Sequence, residues 1–522
     1  MRGAVAAGHP LTAEAGARVL AAGGNAVDAC VAAAFASWVV ESPLTGPGAG
    51  GFMLVHRARD RTTRLLDFFV ATPGLGLKRA RGGEMHAIDI AFDSETKQIF
   101  RIGPAACAVP GAVAGLEAAH RAFGSLPWSE LAAPAAELAR EGVELTKPQA
   151  HLHAILDLIL RHTDEGRRLY GRGGARLAAG DVLEMGDLAD TLDLIASNGA
   201  RALHRGDLAR ATVAAVRDGG GELTLQDLTS YRPVWRRPVR TPFAGCEFVS
   251  NPPPSSGGIL IAYGLSLLDR IGPTGAPATA EALAALVEVM REQTRAREDG
   301  FSSRLHRGGL TRRLLAPDAI AAAVARIEAR RPGAVERAAP GGTTHISVLD
   351  ARGNAASLSS STGSGSGVIV PGTGIHLNNM LGEYDLVGRT PAPPGRRLTS
   401  MMAPSIVLDP VGLPRLVVGS AGSVRLRGAI MQIVVNVLAH RMSVDEAVAA
   451  PRVHLDEPHV HCEGGLEPAE VERLALLGYE VIRWRRRNLF FGGSSAVEVQ
   501  PDGALAAAGD PRRGGAGVVV AA

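Results

Sequence analysis

The chain has 522 residues, of which 46% are hydrophobic and 20% charged, and its formal net charge at pH 7 is +3. This length and composition predict two ordinary domains or one large layered one with a sizeable buried core, and they exclude wholesale disorder. So small a net charge gives no reason to expect a nucleic-acid partner. The densest basic run, at 483–488, is short and typical of a solvated edge.

The spacing of the cysteines and the length of the hydrophobic runs indicate the cellular compartment and whether the chain crosses a membrane. The four cysteines are far apart and form no CxxC pair, so neither a disulfide framework nor a zinc ribbon is predicted. The start, MRGAVAAGHP, lacks the pattern of a signal peptide. The longest apolar run, at 29–40, is about half of a membrane span. We therefore expect a cytoplasmic protein without a membrane partner; a periplasmic or secreted location is the alternative if the start is truncated.

The first half of the chain is predicted to be largely helical. Two alanine-rich helices at 12–22 and 26–40 are separated by a Gly-Gly-Asn break. A glycine cluster at 46–51 then runs straight into a strand, and 65–110 alternates between strand-like and turn-like pieces. Helical periodicity dominates from about 111 to 230.

The second half begins with helices and then changes character. Helices are predicted at 259–268 and within 279–330. From Thr343 to about residue 420, short β-rich runs alternate with turns. A buried helix is expected at 423–441, and the tail returns to strands. Helices before and after each β block predict a sandwich whose sheets are covered by helices.

Two glycine-rich segments invite catalytic interpretations that their surroundings do not support. Residues 46–51 have the glycine spacing of a dinucleotide loop, but here a helix precedes the loop and a strand follows it, the reverse of that motif. The segment STGSGSG at 361–367 contains no GxSxG elbow. An α/β-hydrolase nucleophile is therefore not visible.

A cluster of potential metal ligands lies at 454–462 in HLDEPHVHC. His459 and His461 are two residues apart and would lie on one face of a strand, which suits a metal, with His454 nearby. No further ligand can be assigned, and charged residues beside a proline are also typical of an exposed edge. We therefore predict no metal site, and metal binding stays the less favoured alternative.

Thr343 follows two glycines in the segment PGGTTHISVLDARGNAASLSSS. From these residues alone a plain hairpin is the simpler interpretation. A threonine hydroxyl can, however, attack the carbonyl before it where glycines tolerate a strained backbone. The attack converts the peptide bond into an ester, and hydrolysis of this ester leaves a new N-terminus whose α-amine has an unperturbed pKa of roughly 8. One residue then supplies both nucleophile and base.

The whole chain decides between these two interpretations. Seven motifs appear in order: HPLTAEAGARVLAAGGNAVDACVAA, ESPLTGPGAGGFMLV, NPPPSSGG, GGTTHISVLDARGNAAS, GTGIHLNNML, RRLTSMMAPSIVL and VVGSAGSVRLRGAIMQIVVN. Together they resemble the gamma-glutamyltransferase family of N-terminal nucleophile hydrolases over essentially residues 4–510. The resemblance implies an α+β fold with four layers, αββα. It also implies self-cleavage into fragments 1–342 and 343–522, intertwined in one unit.

The resemblance implies a catalytic set around the cleaved bond between Gly342 and Thr343. Thr343 matches the nucleophile. Ser361 stands where a second threonine usually supports it and keeps the hydroxyl. Gly422 and Ser423 match the oxyanion-hole pair, with serine in place of a usual glycine; backbone amides would still serve.

The implied substrate site departs from the family pattern at more than one position. Thr399 and Ser400 match the pair that binds the substrate's α-carboxylate, and Glu383 stands where an aspartate usually holds its α-amine. Phe69, in DFFVATP, occupies the place of an arginine that usually clamps the α-carboxylate. The arginines near enough in sequence to compensate are Arg389, Arg396 and Arg397. The stretch between Tyr384 and Leu398, a lid in some members, also looks short.

The resemblance implies an enzyme without metal or cofactor that hydrolyses or transfers a γ-glutamyl group of glutathione-type amides through an acyl-enzyme on Thr343. Phe69 leaves two alternatives open. One is an acylase or amidohydrolase with a different acyl group, and the other is a cleaved but inactive binding protein. The expected partners are a small-molecule amide and the two fragments of the chain itself, with no nucleic acid.

Overall fold

The computed structural model describes residues 2–78, 82–91, 97–272, 275–298, 300–329, 342–383, 392–423 and 425–521. The strands are β1 Gly3–Ala7, β2 Gly50–Arg57, β3 Thr62–Phe68, β4 His86–Ala91, β5 Lys97–Ile102, β6 Val143–Glu144, β7 Gly171–Arg172, β8 Ala175–Arg176, β9 Val182–Leu183, β10 Val234–Arg236, β11 Val239–Phe243, β12 Cys246–Ser250, β13 Thr344–Asp350, β14 Ala355–Ser361, β15 Ile369–Val370, β16 Ile375–His376, β17 Ser405–Leu408, β18 Pro414–Ala421, β19 Val453–Asp456, β20 His459–Cys462, β21 Glu480–Arg483, β22 Gly493–Val499, β23 Leu505–Gly509 and β24 Ala516–Val520. The α-helices are α1 Pro10–Ala21, α2 Ala26–Val40, α3 Ala112–Phe123, α4 Trp128–Glu141, α5 Lys147–Ile155, α6 Asp157–Leu160, α7 Asp164–Leu169, α8 Gly186–Asn198, α9 Arg201–His204, α10 Asp207–Asp218, α11 Leu225–Ser230, α12 Gly257–Ile271, α13 Ala280–Arg295, α14 Phe301–Arg307, α15 Leu310–Leu314, α16 Pro317–Glu328, α17 Arg425–Leu438, α18 Val444–Ala449 and α19 Pro468–Leu476.

Two antiparallel sheets form the middle of the molecule. The first has seven strands in the order β10-β3-β2-β14-β13-β1-β24, and the second has six in the order β11-β12-β17-β18-β22-β23. One hydrophobic core lies between the sheets, a second joins the first sheet to α1–α4 and α8, and a third joins the second sheet to α12, α13 and α17. The expected four-layer αββα arrangement is confirmed.

The central strands are apolar on both faces because each sheet is covered by the other sheet on one face and by helices on the other. Side chains alternate between the two faces of a strand. In β2, Phe52 and Leu54 enter the core between the sheets, whereas Met53 and Val55 pack toward the helices. A four-layer fold therefore needs continuous apolar runs in its strands rather than a strict polar-apolar alternation.

The first two predicted helices are confirmed as α1 and α2. All fifteen residues of α2 are buried, which explains why its sequence is apolar all round. Asn25 begins it with a capping box, in which its side chain accepts from the amides of Val27 and Asp28. Within the described ranges, no helix is long and apolar enough to cross a membrane.

The later helix predictions hold, with one omission. The stretch 111–230 contains α3–α11, the prediction at 259–268 corresponds to α12, and the one at 423–441 corresponds to α17. The short strand pairs β6–β9 and β7–β8 interrupt the first of these stretches. Each of these strands has only two residues, which is too short for periodicity to reveal.

The two sheets approach each other closely where β13 lies against β18. A Cβ built on Gly419 of β18 would lie 2.2 Å from Cε1 of His345 in β13, so only glycine fits there. His345 lies with Nδ1 2.8 Å from Ser359 Oγ and Nε2 3.0 Å from Ser347 Oγ. Burial lowers the pKa of His345 to about 3, so the ring is neutral at physiological pH.

A buried ion-pair network fixes the turn between β23 and β24. Arg452 Nη2 lies 2.7 Å from Asp510 Oδ2, and Arg512 Nη1 lies 3.1 Å from Asp510 Oδ1. Arg512 also pairs with Glu463, and all four side chains are at most 3% exposed. The two arginines hold the pKa of Asp510 below its ordinary value against the opposing effect of burial.

We expect Asp510→Asn to lower the free energy of unfolding by about 3 kcal/mol, because it leaves two buried guanidinium groups short of a counter-charge. Chemical denaturation followed by circular dichroism measures this effect. The matched control is Asp218→Asn at the exposed end of α10, which should stay within about 0.5 kcal/mol of the parent. Equal stability of the two variants would contradict the network's role.

Candidate functional site

Thr343 lies immediately before β13, near the centre of the first sheet, and is 5% exposed. Its Oγ1 donates to the carbonyl oxygen of Gly342 at 2.8 Å. The hydroxyl is therefore next to the peptide bond on its own N-terminal side. This is the bond at which the sequence predicts self-cleavage.

Ser361 is the last residue of β14 and reaches the same carbonyl. Its Oγ donates to Gly342 O and accepts from the amide of Gly363 at 2.8 Å. The amide fixes the direction of the hydroxyl, which leaves its proton aimed at Gly342 O. The Gly342 carbonyl thus accepts two hydroxyl hydrogen bonds, and these polarise its carbon toward attack.

Gly422 and Ser423 form a turn between β18 and α17, in the second sheet. Their φ angles are 126° and 54°. The second value lies in the left-handed region, which explains why a glycine would be the easier residue at Ser423. The turn directly precedes a helix of 14 residues, whose N-terminal end favours negative charge.

A pocket brings most of the predicted site residues together. Thr343, Ser361 and Ser423 line it on the reacting side. Its other lining residues are Phe69, Gly342, Gly363, Met380, Glu383, Ser400, Met401, Met402 and Leu426. Thr399 and Gly422 do not line it, although each adjoins a residue that does.

The NPPPSSGG motif holds the segment that contains Ser400. The carbonyl of Ser400 accepts from Ser255 Oγ at 2.9 Å and from Ser256 Oγ at 3.0 Å. The Ser400 hydroxyl itself accepts from the amide of Met402 at 3.0 Å, which leaves its proton for another acceptor. The two serine hydroxyls of this motif therefore position one wall of the pocket.

Phe69 forms another wall and is fully buried, stacked on Phe52 with 5.4 Å between ring centroids. Its carbonyl accepts from Tyr231 Oη at 2.7 Å and from a guanidinium nitrogen of Arg397. The backbone at Phe69 is thus fixed while its ring contributes an apolar surface to the pocket.

None of the arginines that could compensate for Phe69 lines the pocket within the described part of the chain. Arg397 lies over the ring of Tyr231 at 4.5 Å, pairs with Asp67 at 3.3 Å and donates to a backbone carbonyl. Arg396 is exposed. Arg389 lies outside the described residues, as does most of the segment predicted to be a shortened lid.

Sequence reasoning missed two titratable residues beside the nucleophile, Glu41 and Arg513. Arg513 Nη1 donates to the carbonyl of Thr343 at 3.1 Å. Glu41 accepts from Thr12 Oγ1 at 2.8 Å and from Thr344 Oγ1, and burial raises the pKa of its carboxyl. The available signal was a single acid that directly follows the apolar run at 29–40.

The three histidines near the C-terminus do not converge. His454 pairs with His461 across β19 and β20, and His461 Nδ1 accepts from Trp484 Nε1 at 3.1 Å. His459 is about half exposed and lies 3.7 Å from Glu480. Among the residues that the structure describes, no group of three or more His, Cys, Asp or Glu side chains is placed to hold a metal ion.

Comparison with known proteins gives consistent matches over the whole chain. The family model described as gamma-glutamyltranspeptidase matches residues 12–520. The chain is 32% identical to "Acylase ACY 1 proenzyme" of Pseudomonas sp. (strain SE83), over 99% of this chain and 94% of that protein. It is also 32% identical to "Glutathione hydrolase proenzyme" of Pseudomonas aeruginosa, with the same coverages. The crystal structure of cephalosporin acylase from Bacillus halodurans matches in fold, with a TM-score of 0.83 and 24% identity over 99% of this chain and 95% of that one.

We expect Arg513→Met to slow cleavage at Gly342–Thr343 roughly tenfold to a hundredfold, because the buried Thr343 carbonyl loses a charged donor. The fraction of cleaved chain against time on denaturing gels measures the rate. Arg513→Lys keeps a positive charge and should fall between the parent and Arg513→Met. A parental cleavage rate in Arg513→Met would contradict this positioning role.

The raised pKa of Glu41 predicts a pH dependence of stability. The folded state favours the protonated carboxyl, so its contribution is fully present below the unfolded pKa of about 4.3 and is lost as pH rises through the folded pKa. In a Thr343→Ala background, Glu41→Gln should make the free energy of unfolding fall less steeply as pH rises, by up to about 1.4 kcal/mol per pH unit. Denaturation at several pH values measures the slope, and exposed Glu141→Gln should keep the parental slope.

Proposed function

The chain belongs to the gamma-glutamyltranspeptidase family, and from this premise we propose that it is a self-processing amide hydrolase or acyl transferase whose nucleophile is Thr343. The observation that carries the proposal is the Gly342 carbonyl, which accepts from the hydroxyls of both Thr343 and Ser361. A structural hairpin has no need of a second hydroxyl aimed at this oxygen.

This geometry supports self-cleavage. Thr343 Oγ1 attacks the carbonyl carbon of Gly342, and the Ser361 hydroxyl donates to the oxygen as it becomes negative. The C–N bond then breaks, its nitrogen takes up a proton, and Gly342 is left as an ester on Thr343. Water hydrolyses the ester to a Gly342 carboxylate and restores the Thr343 hydroxyl, beside the α-amine that the first step freed.

Turnover of an amide substrate uses the same hydroxyl. The α-amine of Thr343 accepts the hydroxyl proton as Oγ1 attacks the substrate carbonyl. The amides of Gly422 and Ser423, in front of the N-terminal end of α17, are suited to hold the oxyanion. The amine product leaves with a proton, and water or a second amine resolves the acyl-enzyme.

The two products of cleavage would stay together. In the first sheet, β14 and β13 of residues 343–522 lie between β2 and β1 of residues 1–342. Within the described residues, separation would break four antiparallel strand pairings: β14 with β2, β13 with β1, β24 with β1 and, in the second sheet, β17 with β12. The names of the two curated relatives, both proenzymes, support a processed mature form.

The chemistry of the pocket favours an acylase over a γ-glutamyl hydrolase. Phe69, Met380, Met401 and Leu426 make its walls largely apolar, and within the described residues no arginine lines it. An arginine clamp gives a bidentate pair with a carboxylate that a phenyl ring cannot replace. The second candidate, γ-glutamyl transfer or hydrolysis, is favoured by Glu383 in the pocket lining.

Purified wild-type protein should run as two bands, corresponding to residues 1–342 and 343–522, without added protease. Thr343→Ala should leave one intact band because it removes the attacking hydroxyl. Denaturing gels and N-terminal sequencing of the smaller band provide the measurement. A wild-type chain that stays intact and is catalytically active would end the proposal.

Ser361→Ala should slow self-cleavage roughly tenfold to a hundredfold. This loss lies between that expected for removal of an ordinary hydrogen bond and that for removal of an oxyanion-hole donor. Ser361→Thr keeps the hydroxyl and serves as the matched control, with cleavage near the parental rate. Melting temperatures separate this effect from unfolding. If Ser361→Ala cleaves at the wild-type rate, the serine has no part in the reaction.

Covalent labelling separates an enzyme from an inactive binding protein. An electrophilic glutamine analogue or a reactive acyl probe should attach to Thr343, and peptide mass spectrometry should locate the adduct there. Failure of a broad panel of probes to label cleaved protein that still binds a ligand would favour the binding protein.

A further inference from the structure

Glu383 is the only charged side chain among the described residues that line the pocket beside Thr343. It is 8% exposed, which places its carboxylate in a largely desolvated position. The neighbouring walls come from one phenylalanine, three methionines and one leucine: Phe69, Met380, Met401, Met402 and Leu426. The remaining lining side chains are neutral hydroxyls or glycines.

The charge of this pocket discriminates between acyl groups. A carboxylate in the acyl chain would lose its hydration inside apolar walls and be repelled by Glu383. An ammonium in the same place would be attracted by Glu383 and could form a charge-assisted hydrogen bond with it. The nearby Arg397 does not reverse this preference, because Asp67 and two backbone carbonyls already bind it.

The methionines indicate what connects the ammonium to the reacting carbonyl. Met380, Met401 and Met402 are unbranched and polarizable, so they adapt to flexible methylene chains. The wall that contains Met401 is itself fixed, because the adjacent Ser400 carbonyl is held by Ser255 and Ser256. This combination suits a short apolar linker between two polar ends, the Thr343 hydroxyl and the Glu383 carboxylate.

We propose that the substrate is an amide of an amino-substituted acyl group that carries no carboxylate, with its ammonium bound by Glu383. The γ-aminobutyryl group is the simplest member of this class, since it equals γ-glutamyl without the α-carboxylate. This inference rests on the proposed function, because it assumes that Thr343 attacks the acyl carbonyl. The proposed acyl group differs from γ-glutamyl and dicarboxylic acyl groups because it carries a positive charge and no negative one.

A set of four anilides tests the proposal with each charge varied separately. γ-Glutamyl anilide carries both the ammonium and the carboxylate, γ-aminobutyryl anilide only the ammonium, glutaryl anilide only the carboxylate, and butyryl anilide neither. Thr343→Ala protein gives the background rate, including spontaneous cyclisation of the γ-aminobutyryl compound. We expect kcat/KM for γ-aminobutyryl anilide to exceed that for butyryl anilide roughly tenfold to a hundredfold. Glutaryl anilide should be the poorest of the four.

Two variants assign the selectivity to the pocket. Glu383→Gln should reduce the ratio of kcat/KM for γ-aminobutyryl over butyryl anilide roughly tenfold, whereas exposed Glu141→Gln should leave that ratio unchanged. Phe69→Arg should raise the ratio of γ-glutamyl over γ-aminobutyryl anilide by a similar factor. If Phe69→Arg fails to fold, which its melting curve will show, the Glu383→Gln ratio still decides.

The outcomes separate failure of this inference from failure of the proposed function. Fastest Thr343-dependent turnover of glutaryl, γ-glutamyl or butyryl anilide would overturn the inference and leave the proposed function standing. A ratio unchanged in Glu383→Gln would also overturn it. Absence of turnover with all four anilides, together with absence of any covalent adduct on Thr343, would overturn both.

Discussion

The carbonyl oxygen of Gly342 is the point on which the geometry of the site depends, because two hydroxyls from neighbouring strands meet there. Thr344 of β13 pairs with Ser360 of β14 in antiparallel register. Thr343 and Ser361 are one position further along each strand, so the register brings both hydroxyls to one carbonyl. A slip of one residue would turn every side chain of a strand to the opposite face, which would abolish this convergence.

The second sheet must then be held at a fixed distance from the first. Gly419 provides the close approach, since His345 of β13 fills the space where its side chain would be. Ser347 Oγ, beside the His345 ring, donates to the carbonyl of Ser495 in β22, which is a polar link between the sheets. A neutral imidazole satisfied by two serines costs less in this dry layer than a charged one would. The ends of β13 and β18, with Thr343 and the turn at Gly422, are thereby brought to one pocket.

The sequence was sufficient for features set by local patterns. The helices α1, α2 and α12 follow from apolar composition and from capping or turn residues, and the hairpin of β13 and β14 follows from two β-rich runs around a turn. The family resemblance that the ordered motifs carry likewise named seven residues that meet around one pocket. Contacts between distant segments could not be predicted in this way. Arg513 reaches Thr343 from 170 positions away, and Arg397 is bound by Asp67, 330 positions earlier; neither pairing leaves a local pattern.

The charge of the pocket affects both which substrate binds and whether the Thr343 α-amine can act as the base of the proposed mechanism. In the proposed mechanism, cleavage leaves an α-amine on Thr343 whose pKa depends on the surrounding charges: Glu383 in the pocket lining favours the charged amine, whereas Arg513, which donates to the Thr343 carbonyl, opposes it. A protonated amine cannot accept the hydroxyl proton, so the balance of these charges bears directly on catalysis. A substrate ammonium bound at Glu383 would neutralise that carboxylate and lower the pKa of the Thr343 amine. A cationic acyl group would therefore favour the neutral, active form of the base as it binds, whereas a dicarboxylic group would add a second negative charge and favour the protonated form.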